Sequence, residues 1–190
     1  MQAASGTSLN DVTPRPVPSR RALVAALAAL AASVLVVDQV TKALAVAHLR
    51  PDRPVPILGD LLQLRIIRNA GAAFSLGTGV TWLLTVVAVV IIVVVLRSAR
   101  RLGSRGLALA LGLLLGGALG NLVDRVAREP GLGRGHVVDF IAYGHLFIGN
   151  VADVAIVVAA LLMAGLSLRG VGLDGVRAES AARTEDEVRG

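Results

Sequence analysis

Four apolar runs, each long enough to cross a bilayer, constrain this chain more than any other feature. A ~30 Å hydrocarbon core needs roughly 17–25 apolar residues in a helix, and runs of that kind fall at about 22–48, 80–96, 107–123 and 150–168. In lipid every backbone N–H and C=O must be satisfied within the segment, so each run is predicted to be an α-helix. With 55% apolar residues, 17% charged and a mean hydropathy of +0.73, the chain has the balance of a membrane protein rather than a water-soluble domain. The first run follows Arg20 and Arg21 and has no small-residue cleavage site leading into a polar domain. It reads as an uncleaved first span.

The arginines predict the orientation. Arg97, Arg100, Arg101 and Arg105 crowd the short link between the second and third runs without an acid, and Arg15, Arg20 and Arg21 precede the first. Short basic connections stay cytoplasmic, so both termini are expected inside. The longer connections 49–79 and 124–149 mix both signs, as outward-facing segments do. The expected organisation is a flexible cytoplasmic N-terminus over 1–21, a four-span domain over 22–168 and a flexible cytoplasmic tail over 169–190. A net charge of +6 would suggest nucleic acid in a soluble domain, but aromatics make up only 3% and the arginines flank apolar runs. Topology accounts for them, and no nucleic-acid partner is expected. The absence of cysteine excludes disulfides, thiolate metal sites and a Cys nucleophile, and His48, His136 and His145 form no HExxH.

The outward connections have a texture of their own. Residues 51–68, PDRPVPILGDLLQLRIIR, are punctuated by Pro51, Pro54, Pro56 and Gly59, and Leu62, Leu64 and Ile66 alternate with Gln63, Arg65 and Ile67. Short strands at the membrane surface are predicted there, with a further extended piece or a re-entrant edge at 136–141, HVVDFI. The fold class is thus an all-α membrane protein, a four-helix transmembrane bundle with a small β-rich element on its outer face.

Ionisable groups in or beside a span are costly, on insertion scales about 2.5–3.5 kcal/mol each at the centre, and need a reason. Asp38, Lys42, Asp124, Arg125, Asp139 and Asp153 all fall at the outer ends of their segments. Asp38 and Lys42 share a helix face four residues apart, the favourable order for an ion pair; a neutralised pair and a positioning role fit that spacing equally. Lys42 is the one lysine among nineteen basic residues, which points to a compact ammonium. Gly116, Gly117 and Gly120 allow close helix approach ahead of Asn121, Asp124 and Arg125; Asp124 and Arg125 alone would be read as an interfacial anchor. Asp139 and Asp153 each lie in an apolar stretch with no adjacent base. They are either two separately solvated acids or a facing pair sharing one proton. Asn69, Gly71 and Phe74, in RNAGAAFS, have the composition of a tight turn. All three phenylalanines, Phe74, Phe140 and Phe147, lie outside the spans, as an apolar surface pocket would require.

Taken together, these motifs resemble those of the lipoprotein signal peptidase family, signal peptidase II, the intramembrane aspartic peptidases of bacteria. They occur in order: DQVTK from Asp38 to Lys42, NAGAAFS from Asn69 to Ser75, GGALGNLVDR from Gly116 to Arg125, HVVDF from His136 to Phe140 and NVAD from Asn150 to Asp153. The resemblance implies a catalytic pair of Asp139 and Asp153. It gives substrate-binding or supporting roles to Asp38, Lys42, Asn69, Gly71, Asn121, Asp124, Arg125 and Asn150. It implies a cell-membrane hydrolase that removes the signal peptide from diacylglyceryl-modified prolipoproteins, cutting before the lipidated cysteine. Neither a metal nor another cofactor is expected, membrane lipid surrounds the chain, and a monomer is expected. The chain departs from the family pattern at Gly149, usually Phe, and Val154, usually Ser, which bears on packing around the last acid.

Rival classes fit less well. A small transporter or channel would explain the acids but not their gathering at one face, and no inverted repeat is visible. A lipid phosphatase needs a basic or His-rich constellation, a rhomboid-type serine protease needs a GxSx motif in a span, and the GxGD signature of another intramembrane aspartic family is missing.

Overall fold

The computed structural model describes residues 18–71, 81–170 and 172. The elements run α1 (Arg20–His48), β1 (Val55–Leu58), β2 (Leu62–Asn69), α2 (Thr81–Ser98), a single 3-10 turn (Ala99–Arg101), α3 (Arg105–Ala127), β3 (Val137–Tyr143), β4 (Phe147–Gly149) and α4 (Val151–Leu168). All four helices have the length and hydropathy of membrane spans. The expected tails 1–21 and 169–190, Phe74 and the part of its motif from Ala72 to Ser75 lie wholly or largely outside the described residues.

The helix starts follow from capping. Ser19 accepts from the Ala22 N–H and Ser104 from the Leu107 N–H, while Asn150 and Asp153 form a reciprocal capping box on α4. α3 is the central helix: 56% of its apolar window is buried, against at most 22% in the other three. It packs on α1, α2 and α4. Leu23, Leu27 and Ala31 of α1 meet Leu107, Leu111 and Leu115 of α3 and Val95 of α2 in one core. Glycines set the approach. A Cβ on Gly116 would lie 2.6 Å from Val34 Cβ, and one on Gly117 would lie 2.6 Å from the Ala152 carbonyl oxygen. α3 therefore touches α1 on one side and α4 on the other almost backbone to backbone. The opposite faces, among them Val36, Val40, Val86, Val90 and Val157, are exposed apolar surface of the kind a bilayer covers.

The strands form one antiparallel sheet in the order β1-β2-β3-β4. The short strands expected over 51–68 form as β1 and β2, with Arg65 and Arg68 the exposed residues of β2. The β2–β3 register has an irregularity between Leu64 and Ile67, where a bulge changes which residues share a face. β3 is buried from Val137 to Phe140. β4 was not expected; it pairs Phe147 with Tyr143, and the two rings stack at 4.6 Å. α3 runs one turn beyond the expected Val123, because Arg128 N–H closes on the Asp124 carbonyl and the Arg128 side chain pairs with the Asp124 carboxylate.

Gly116→Val should lower the thermal unfolding midpoint in detergent through overpacking, with a cost of about 1–3 kcal/mol. Gly165→Ala, with nothing within 4 Å of the added carbon, should leave the midpoint unchanged or slightly raised. Equal effects from both would contradict the close α1–α3 approach.

Candidate active site

The six ionisable residues singled out from the sequence converge at one end of the bundle, on the C-terminal parts of α1 and α3, the start of α4 and β3. Asp38, Lys42 and Asp124 are fully buried and Asp139 nearly so. The Asp38–Lys42 pair forms at 2.8 Å, and the same ammonium reaches Asp124 at 2.9 Å and donates to Asn121 Oδ1 at 3.1 Å. Three acceptors from two helices thus satisfy the three donors of one lysine.

Each carboxylate of that cluster holds another element in turn. Asp38 Oδ1 accepts from the Ala152 N–H at 3.0 Å, fixing the first turn of α4, and Asp124 Oδ2 accepts from the Val138 N–H at 3.1 Å, fixing β3 beside Asp139. Arg128 donates to Asp124 Oδ1 at 2.7 Å. Gly120 belongs to the same device, since a Cβ there would lie 2.5 Å from Asp38 Oδ2.

Asp139 and Asp153, which sequence spacing alone could not join, are both held by Asn150. Its Nδ2 donates to Asp139 Oδ1 at 2.6 Å, and its backbone N–H donates to Asp153 Oδ2 at 3.1 Å. Asn69 Nδ2 donates to the other oxygen of Asp139 at 2.8 Å, and Asn121 Nδ2 to the other oxygen of Asp153 at 2.9 Å. Burial pushes the Asp139 carboxyl up to about 6 and the Asp153 charge adds to the rise, while the amide hydrogens of Asn69 and Asn150 pull it down. Gly71 is buried at a φ of +116°, and its N–H donates to Asn69 Oδ1 at 2.7 Å. That bond turns the Asn69 amide so that its NH₂ faces Asp139. Arg125 is buried among Asp139, Asp124 and Asp153, whose charges act on it, and its Nη1 has no hydrogen-bond partner among the described residues.

All ten site residues named from the sequence thus belong to one connected cluster. Sequence reasoning passed over two others. Gln39 Nε2 lies within bonding distance of Asp38 Oδ2, the Gly120 carbonyl and Asp124 Oδ1, and it stands inside the DQVTK motif. Arg128 stands four residues after Asp124, the spacing that pairs charges on a helix. As for the departures, a Cβ on Gly149 would lie 2.9 Å from Asp153 Oδ2 and 3.4 Å from the Phe147 ring, so Phe147 fills the space beside the acid. Val154 lines an apolar cavity of about 180 Å³ with Tyr143, Phe147 and Asp153.

Four membrane-length helices closing on a buried cluster of acids and their amide donors define a multi-pass membrane protein. Its lineage follows from comparison: residues 30–169 match the family described as signal peptidase (SPase) II. The lipoprotein signal peptidase of Rhodococcus jostii is 54% identical over 149 residues, covering 78% of this chain and 74% of that protein. That of Mycobacterium avium is 48% identical over 152 residues, covering 80% and 82%. Two solved structures of a bacterial membrane enzyme obtained by the in meso method, at 2.3 and 1.9 Å, superpose with TM-scores of 0.66 and 0.67 at 27% and 26% identity. They cover 76% of this chain and 88% and 94% of their own. The chain belongs to the signal peptidase II family and is a bacterial multi-pass membrane peptidase of the aspartic type.

Lys42→Met should strand Asp38 as an uncompensated buried charge and leave Asp124 with Arg128 as its one ion-pair partner among the described residues. Breaking a buried pair from one side costs about 3–5 kcal/mol, so thermal unfolding in detergent should show a large drop in midpoint. A midpoint equal to wild type would contradict the bridging role.

Proposed function

We propose that this chain removes the signal peptide from diacylglyceryl-modified prolipoproteins by cutting before the lipidated cysteine, with Asp139 and Asp153 as the catalytic pair. The observation that carries the reading is Asn150, which from one residue holds an oxygen of each acid. The relatives named above carry lipoprotein signal peptidase as their description, which supports the substrate class.

Charge balance supports a singly protonated pair. Four carboxylates, Asp38, Asp124, Asp139 and Asp153, share the cluster with the three cations Lys42, Arg125 and Arg128. One shared proton makes the buried site neutral, the least costly state in low dielectric. Asp139, raised by burial, keeps that proton, and Asp153 serves as the base. Asp153 takes a proton from a bound water whose oxygen adds to the scissile carbonyl. Asp139 donates a hydrogen bond to the developing oxyanion, then its proton goes to the departing amine as the C–N bond breaks. The pair again holds one proton, now on Asp153. Arg125, with Nη1 unpartnered, supplies a donor for a carbonyl oxygen of the bound peptide. Asn69, Asn121 and Asn150 orient the carboxylates, Gly71 orients Asn69, and Lys42 with Asp38 and Asp124 holds the elements that carry them.

The pair sits at the opposite end of the bundle from the basic link 97–105, which supports an outer-face site with both termini cytoplasmic and the sheet on the outer face. There the substrate's acyl chains stay in the bilayer while water reaches the acids. The reading takes the enzyme as a monomer in membrane lipid that needs no metal, cofactor or nucleic acid.

A gel-shift assay on a diacylglyceryl-modified prolipoprotein in detergent tests the reading. Asp139→Asn and Asp153→Asn should each lower kcat/KM by about 10²–10⁴, the range for losing a positioned acid or base, and full cleavage by either would refute the pair. Loss of the proton from Asp139 should also make kcat/KM fall as pH rises through about 6. Asn69→Leu removes a donor that favours ionised Asp139, so that alkaline limb should move to higher pH. A limb that stays put or moves down would contradict the assignment.

A further inference from the structure

The end of the bundle remote from the acids carries an unassigned groove with a distinctive charge. It lies between the start of α1 and the start of α3, about 440 Å³ in volume, walled by Ala22, Ala26, Leu30, Ala108 and Leu109 with Arg105 at its mouth. Ala22, Ala26 and Leu30 repeat every four residues, so they line one face of α1, and the two alanines make that face a trough. The groove closes inward at Leu30, where a Cβ on Gly112 would lie 3.0 Å from the Leu27 carbonyl oxygen and 3.1 Å from the Leu30 side chain.

Charge decides what would fill it. Arg20 and Arg21 stand on the first turn of α1, Arg97, Arg100 and Arg101 around the end of α2, and Arg105 on the first turn of α3. None has an ion-pair partner among the described residues, and neither α1 nor α3 has an acid in its first turn. The helix starts themselves are capped by Ser19 and Ser104, so what remains unpaired among the described residues is guanidinium charge at the helix ends. A peptide or sterol would satisfy the slot but leave this charge unanswered. A ligand with one anionic head and long apolar tails answers both.

We infer that this groove binds an anionic phospholipid, its phosphate on Arg105 and one acyl chain along Ala22, Ala26 and Leu30, while Arg20 and Arg21 line a separate hollow with Val24, Ala25 and Ala28. The site is separate from the acid cluster and carries no chemistry of its own. It would fasten the α1–α3 pair to the bilayer at the end where neither helix has a polar cross-link.

The test is lipid retention by the full chain in detergent, read by native mass spectrometry, with phosphatidylglycerol and phosphatidylcholine of identical acyl chains. One phosphatidylglycerol per chain should be retained in preference to phosphatidylcholine. Arg105→Glu should weaken that retention by roughly tenfold, the scale of losing interfacial arginine–phosphate attraction, and Arg105→Lys should keep most of it. Ala26→Phe, which fills the trough without touching charge, should weaken it as well. Prolipoprotein cleavage by all three variants should match wild type, since they lie remote from the acids. Equal retention of the two lipids would overturn the site, as would phosphatidylglycerol binding indifferent to Arg105→Glu or to Ala26→Phe. Lipid bound only after removal of residues 1–17 would overturn it too, by showing that the chain's own segment fills the groove.

Discussion

One buried ammonium organises this protein. Lys42 bonds Asp38 on its own helix and Asp124 and Asn121 on α3, and each of those groups passes the constraint on. Asp38 holds the start of α4 through Ala152, Asp124 holds β3 through Val138, and Asn121 holds Asp153 directly. Burying these charges is expensive, and a hydrophobic replacement of the whole cluster could be as stable. What an apolar core could not do is fix the register of three separate elements at once. The ion cluster specifies geometry, and the glycines on α3 let the helices come close enough for it to form.

The same cluster explains how two acids can be kept together in a usable state at one end of a bundle of membrane-length helices. Each oxygen of Asp139 and Asp153 has a donor, from Asn69, Asn150 or Asn121, so neither acid is free to turn away. The cations number one fewer than the acids, which leaves room for one proton. Amide donors oppose burial at Asp139 and keep its carboxyl titratable rather than permanently neutral. On the proposed reading, substrate recognition falls to the Nη1 of Arg125, unpartnered among the described residues, and to the apolar cavity beside Asp153.

Much of this was legible in the residues, for reasons that differ by element. The spans are visible because hydrocarbon thickness sets helix length, and the Asp38–Lys42 pair because helical spacing puts both on one face. β4 escaped notice because three residues, Phe147 to Gly149, carry no periodicity, and the β2–β3 register irregularity leaves no compositional trace. That Asp139 and Asp153 share a partner could not be read from spacing, since it depends on Asn150 capping α4 beside β3; only the likeness of the motifs to a known family paired them. The extra turn of α3 was visible in principle in the Asp124–Arg128 spacing.

The central claim is that the acid pair holds one proton, seated on Asp139, within an otherwise balanced ion cluster. Infrared difference spectroscopy of the detergent-solubilised protein across a pH titration measures this directly, because a protonated carboxyl has its own carbonyl band. The account predicts a carboxylic-acid band that bleaches as pH rises through about 6 and is absent from Asp139→Asn. A band that survives unchanged in Asp139→Asn, or no protonated carboxyl on the acid side of that value in wild type, would contradict it.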